Sequence, residues 1–182
     1  MLKSIIQLYL KLIITPDKGW VEIAGRQRSH QDFLNNFLYP IFGAISITTF
    51  AGAMWMGPAA DLNNALKEVI VVIVSLFGGF YIASYIVGEM YLKYEQIREN
   101  ELVKQFVGYS SIVVYLLYFV MPLLPGFELL WLFVVYSFYL VFYGVNVFLN
   151  IPEQYRTKFI LVSAAAIVFS PFAINFLLSL LV

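Results

Sequence analysis

Residues 69–88 read VIVVIVSLFGGFYIASYIVG, a stretch without one charge. A helix needs about 20 mostly apolar residues to cross about 30 Å of hydrocarbon. Four more charge-free stretches reach that length, at 33–60, 105–127, 129–152 and 159–182. The 11 basic and 11 acidic residues all fall before or between them. Strands of a membrane barrel run about 10 residues and alternate apolar with polar. These runs do neither. Backbone groups cannot stay unpaired in lipid, so each run is read as a helix. The sequence therefore predicts an all-α, polytopic membrane protein with five transmembrane helices. They lie near 37–57, 67–88, 106–124, 129–149 and 159–181, in a single membrane domain over 1–182, with 1–36 as a cytoplasmic or interfacial segment.

Composition agrees. Hydrophobic residues make up 62% of the 182 and charged residues 12%, against about 45–50% and 25% in soluble domains. Mean hydropathy is +0.83. An ordinary soluble domain is excluded, and so is disorder. Net charge is zero, so no nucleic-acid partner is expected. There is no cysteine, which removes disulfides, thiolate metal sites and a cysteine nucleophile. One histidine, His30, cannot build a histidine metal site alone. No metal and no cofactor are expected.

Basic residues orient the spans. Lys3, Lys11, Lys18, Arg26, Arg28, Lys93, Arg98, Lys104, Arg156 and Lys158 fall on one side, and Lys67 alone on the other. The positive-inside rule places the N-terminus in the cytoplasm and the C-terminus outside. The expected home is a prokaryotic cytoplasmic (inner) membrane.

The N-terminal segment is not read as a signal peptide, because Lys11 interrupts its apolar run and no small-x-small site follows. Residues 2–14 would be about 20 Å long as a helix, too short to span. Lys3, Gln7 and Lys11 form one polar stripe, with leucine, isoleucine and tyrosine over much of the rest. That pattern predicts an amphipathic helix in the membrane surface, with Lys3 and Lys11 as lipid contacts. Packing against the bundle's end is the alternative. Thr15-Pro16 reads as a helix start, and Trp20 as an interfacial anchor with a wet indole N–H. Ser29 and Asp32 resemble a capping box. Pro40 either kinks the following helix or starts the first span.

Small residues recur four apart at Ala44, Thr48 and Gly52, at Ser75, Gly79 and Ala83, and at Ala166 and Ser170. Such stripes suit close helix packing, within the chain or in a dimer. Tyr136, Tyr139 and Tyr143 share a face of the fourth span. With Tyr109, Tyr115 and Tyr118 of the third, they suggest a seam for a lipid tail or small molecule, or bulky packing. Asn146, Asn150 and Asn175 are intramembrane amides, read as interhelical glue or as contacts. No acidic, basic or histidine residue lies in a span core. Phosphate-loop, dinucleotide and metal motifs are missing, so neither an enzyme nor a catalytic residue is expected.

Several features together resemble the Yip-type family of five-span membrane proteins, named for interaction with Rab-type GTPases. They are Ile14-Thr15-Pro16 followed by Trp20 and Ile23, Val107-Gly108-Tyr109-Ser110 with Pro122, and Tyr136 to Tyr143-Gly144 before a short basic loop. The resemblance implies a cytoplasmic N-terminus and an outside C-terminus. Met56-Gly57-Pro58 precedes Asp61-Leu62, a departure from the family's aspartate–leucine–glycine–proline order. With the short N-terminal region, this is similar to compact prokaryotic members, so a Rab-type GTPase partner is not carried over.

The expected function is a non-enzymatic membrane protein that organises lipids or partner proteins at the cytoplasmic face. Its partners would be the bilayer and a membrane protein or second copy of itself. The alternative is a small transporter or channel subunit. The candidate contacts are Lys3, Lys11, Trp20, Tyr136, Tyr139, Tyr143 and Asn146.

Overall fold

The computed structural model describes residues 2–26, 29–55, 61–95, 100–149 and 151–181, without the side chains of 2–6 and 95. The described residues form helices and turns, with no strand among them. Two short helices come first, α1 (Leu2–Ile14) and α2 (Pro16–Arg26). Five apolar units follow. They are α3 (His30–Trp55), α4 (Leu62–Glu95), the bent pair α5 (Asn100–Ser110) and α6 (Ile112–Val120), α7 (Glu128–Leu149) and α8 (Glu153–Ser179). Four of the expected spans are single helices long and apolar enough to cross a membrane, and the bent pair, taken as one, makes the fifth.

Local chemistry sets the boundaries. The Ser29 hydroxyl accepts the Asp32 N–H at 3.1 Å, the expected cap of α3. Pro40 neither breaks nor starts a helix. A π turn over Leu34–Leu38 precedes it, and the helix runs on through Pro40 to Trp55. Glycine ends the turn before α7, where Gly126 adopts φ +88° after Pro125. The third span departs from expectation. It bends by 44° between α5 and α6, at Ser110 and Ser111. Ser111 donates its hydroxyl to the Val107 carbonyl at 2.7 Å, the kind of back-bond that bends helices. The first eight residues of α7 form 3-10 helix and its last five form π helix.

Helices α4 and α8 pair antiparallel along much of their length. Glycines of two of the small-residue stripes pack inside the chain, Gly79 in this pair and Gly52 between the first and third spans. A Cβ on Gly79 would lie 2.7 Å from Pro171 backbone atoms, and one on Gly52 would overlap the Pro122 carbonyl oxygen. Van der Waals contact over small residues is how helices associate in lipid. At one end, Tyr94 stacks on Tyr155 at 4.4 Å. Lys93, Lys104, Arg156 and Lys158 flank that end, called here the basic end.

Candidate lipid and partner contact site

The site begins with the hairpin of α1 and α2. Leu12 lies over Gly19, where a Cβ would come within 3.0 Å of the Leu12 Cα, so the two short helices nest closely. The hairpin docks into the bundle. Leu8, Leu12, Trp20 and Ile23 are buried with the spans' own core. Tyr9 meets Phe37 edge-on at 4.9 Å and donates its hydroxyl to the Phe37 carbonyl at 3.2 Å. Four residues on, Ile13 lies with Val113, Leu117 and Val120 of the third span. Phe37 itself packs on Tyr109 at 4.3 Å. From Tyr9 to Ile13, α1 therefore advances along the third span. Gln7 and Lys11 lie exposed on the expected polar stripe, and Leu8 and Leu12 pack into the bundle while Leu10 and Ile14 stay exposed.

Trp20 corrects the sequence expectation most clearly. It is 0% exposed, not wet. Its Nε1 donates to the Leu140 carbonyl at 3.0 Å, so the indole N–H is satisfied without water. Phe106, Tyr109 and Phe148 surround the ring at 5.7, 6.3 and 5.5 Å. A Cβ on Gly144 would come within 2.6 Å of it. Aromatic pairs of this kind add about 0.5–1.5 kcal/mol each beyond area burial. As a direct lipid contact, Trp20 is excluded by its burial.

Lys11 is exposed but engaged. It pairs with Glu22 of α2 at 2.6 Å, and Glu22 also pairs with Arg26. The Lys11 hydrogen bond, foremost, holds the Glu22 carboxyl below its ordinary value, with Arg26 adding to the effect. The helix of Lys3 is described, while its side chain lies outside the described residues. The Thr15 hydroxyl turns back to the Lys11 carbonyl at 3.3 Å as Pro16 starts α2.

The tyrosines divide into two sets instead of one seam. Tyr109 faces Trp20, Phe33 and Phe37, Tyr115 faces Phe42, and Tyr118 faces Trp131 and Phe172, all inside the bundle. Tyr136, Tyr139 and Tyr143 lie beside the hairpin. Their rings step along α7 at 5.3 and 4.9 Å. Tyr136 donates to the Ile13 carbonyl at 2.7 Å, and Tyr139 donates to the Tyr143 hydroxyl at 3.3 Å. Asn146, in the π segment, is half-buried, and its Oδ1 has no partner among the described residues. Asn150 lies outside the described residues.

A cavity of about 400 Å³ opens between the third and fourth spans, lined by Ile13, Val113, Leu116, Leu117, Val120, Leu130, Phe133 and Tyr136. Every lining side chain is apolar save Tyr136, whose hydroxyl is taken by Ile13. A shallower hollow over Leu132, Phe133, Val135, Tyr136 and Tyr139 adjoins it. The sequence pointed to Tyr136 and Tyr139 but not to Ile13 or Leu116. Those residues meet across more than 100 positions, and no local period carries that information.

The family model for the Yip1 domain matches residues 10–175, nearly the whole chain. The chain belongs to the Yip1 domain family. It is an integral membrane protein. No curated protein and no solved structure matches it. The matched Yip1 region starts inside α1, so it includes the turn of the hairpin and all of α2. Residues that carried the resemblance now have physical roles. Ile14-Thr15-Pro16 is the hairpin turn, and Trp20 and Ile23 are its buried anchors. Gly108 lies under the Phe33 ring, which a Cβ would overlap, and Gly144 lies under Trp20. Pro122 faces Gly52 across the first and third spans.

Proposed function

We propose that this Yip1-domain protein organises membrane lipid, holding an acyl chain between its third and fourth spans, and that it acts without catalysis. The observation that carries the reading is the apolar cavity beside Ile13. Its lining offers hydrocarbon contact and no free hydroxyl. That chemistry suits a lipid tail and gives nothing to a hydrated ion, which favours lipid organisation over a channel.

In the same reading, the basic end faces the cytoplasm, supported by Lys93, Lys104, Arg156 and Lys158 around it. The hairpin, entering from that end, would present its outer face to partner proteins or to a second copy. A prokaryotic inner membrane is the proposed home.

Photocrosslinking tests the acyl-chain reading. Vesicles would contain a phospholipid with a diazirine in its tail, and crosslinked peptides would be mapped by mass spectrometry. Adducts should concentrate on residues 113–136. Leu116→Trp, at an exposed lining position, should cut them several-fold while the protein keeps its elution profile. Adducts spread evenly over all lipid-facing positions, and unchanged by Leu116→Trp, would overturn the reading.

A further inference from the structure

The charge-free stretch of the fourth span is 129–152, and Tyr136 and Leu140 lie near its middle. Both are bonded to the hairpin. Tyr136 reaches the Ile13 carbonyl at 2.7 Å, and the Leu140 carbonyl accepts from Trp20 at 3.0 Å. Asp17 and Lys18 lie between Ile13 and Trp20 in the chain. The hairpin thus holds two ionisable residues beside the middle of a span, at a depth where no span carries a charge. Both are exposed. Trp20, one turn after Asp17, packs on Gly144, the neighbour of Tyr143. Tyr143 in turn accepts from Tyr139, itself 45% exposed.

An ionisable group at such depth needs polar surroundings, and in known membrane proteins it marks a functional site. Lysine can stretch toward the interface along its stem. Aspartate, with one methylene, cannot. We propose that this flank of the bundle draws phospholipid headgroups from the basic-side leaflet down to the hairpin tip. The headgroup ammonium faces Asp17 and the Tyr139–Tyr143 hydroxyls, and the phosphate faces Lys18. The proposal rests on the acyl-chain reading above, because the tail of such a lipid then enters the cavity past Ile13.

The chain is cysteine-free, so single labels are clean. Val21 is 60% exposed and lies one turn after Asp17 and Lys18 on α2. Phe169, 66% exposed on α8, serves as a mid-span reference. A bimane on V21C or F169C would be measured in phosphatidylcholine vesicles carrying a spin label on the headgroup or at mid-tail, with aqueous iodide as a third quencher. The headgroup label should quench V21C at least twice as strongly as F169C. Adding Asp17→Asn and Lys18→Gln should remove at least half of that excess. Quenching of V21C by the tail label alone, or by iodide without the headgroup label, would overturn the proposal. So would an excess that the double substitution leaves intact. Tail crosslinking on residues 113–136 is read separately. If it persists while headgroup quenching fails, this proposal falls and the acyl-chain reading stands.

Discussion

Trp20 Nε1 donates to a carbonyl 120 residues away in the chain, and Gly144 leaves room for its ring. One side chain thereby joins α2 to the third and fourth spans. Trp20→Ala should cost about 3–5 kcal/mol, the range for emptying a large aromatic site. Gly144→Ala should cost about 1–3 kcal/mol by overpacking. Trp20→Phe shrinks the ring that the added methyl of Gly144→Ala would strike, so the two changes together should cost less than their sum. Reversible unfolding by a denaturing detergent measures all of these. Simple additivity would show that the ring and the glycine do not meet. Glu22 makes a second test at this scale. Its carboxyl titrates lower in the folded protein than its ordinary value of 4.5, chiefly through Lys11. A lowered folded value contributes stability above the unfolded value, and that contribution disappears as pH falls through the folded one. Stability should therefore drop on acidification below about pH 4.5, and Glu22→Gln should flatten that drop. An identical pH profile in the variant would rule out this pair as a pH-dependent tie.

Among the elements, α4 and α8 show what the small residues do. A Cβ on Gly79 meets the Pro171 backbone, which cannot move aside as a flexible side chain can. Gly79→Ala should cost about 1–3 kcal/mol. Gly43 makes the control, because nothing lies within 4 Å of its added Cβ. Gly43→Ala should be neutral or stabilising by up to about 1 kcal/mol through helix propensity. Equal effects at both positions would contradict the packing described. The spans themselves were legible from charge spacing, since a charge-free run of sufficient length has no other stable state in lipid. The stripe holding Gly79 was legible too, because four-residue spacing fixes a helix face. Pro171 was not, because its partner lies on another helix. The bend at Ser110 was equally hidden, since serine is compatible with a straight helix.

Across the whole molecule, the five-span layout and its charge asymmetry predict opposite sides for the two chain ends. Reporter domains inserted at Asn100 and fused at Val182 should read inside and outside respectively; the same side for both would remove the five-span topology. The N-terminal segment shows where sequence reasoning stopped. Its amphipathic stripe is real, but amphipathicity says only that one face is apolar. It does not distinguish a lipid surface from a protein groove as the apolar partner. Leu8, Leu12 and Trp20 pack into the bundle while Leu10 and Ile14 stay exposed, and the packed flank depends on contacts with the second half of the chain. The candidate site was half-readable for the same reason. Tyr136, Tyr139 and Tyr143 declared themselves by spacing, while Ile13, Asp17 and Lys18 gained their setting only from the hairpin.

The central claim is that the hairpin enters the bundle from the basic end and returns to it. Spin labels on single cysteines at Gln7, Leu10, Ile14, Val21 and Ala24, all exposed positions, would report depth through the ratio of oxygen to nickel-chelate accessibility in bilayers. The depth should increase from Gln7 through Leu10 to Ile14 and decrease from Val21 to Ala24. A constant depth across all five positions would mean that both helices lie flat in the membrane surface, and the claim would be wrong.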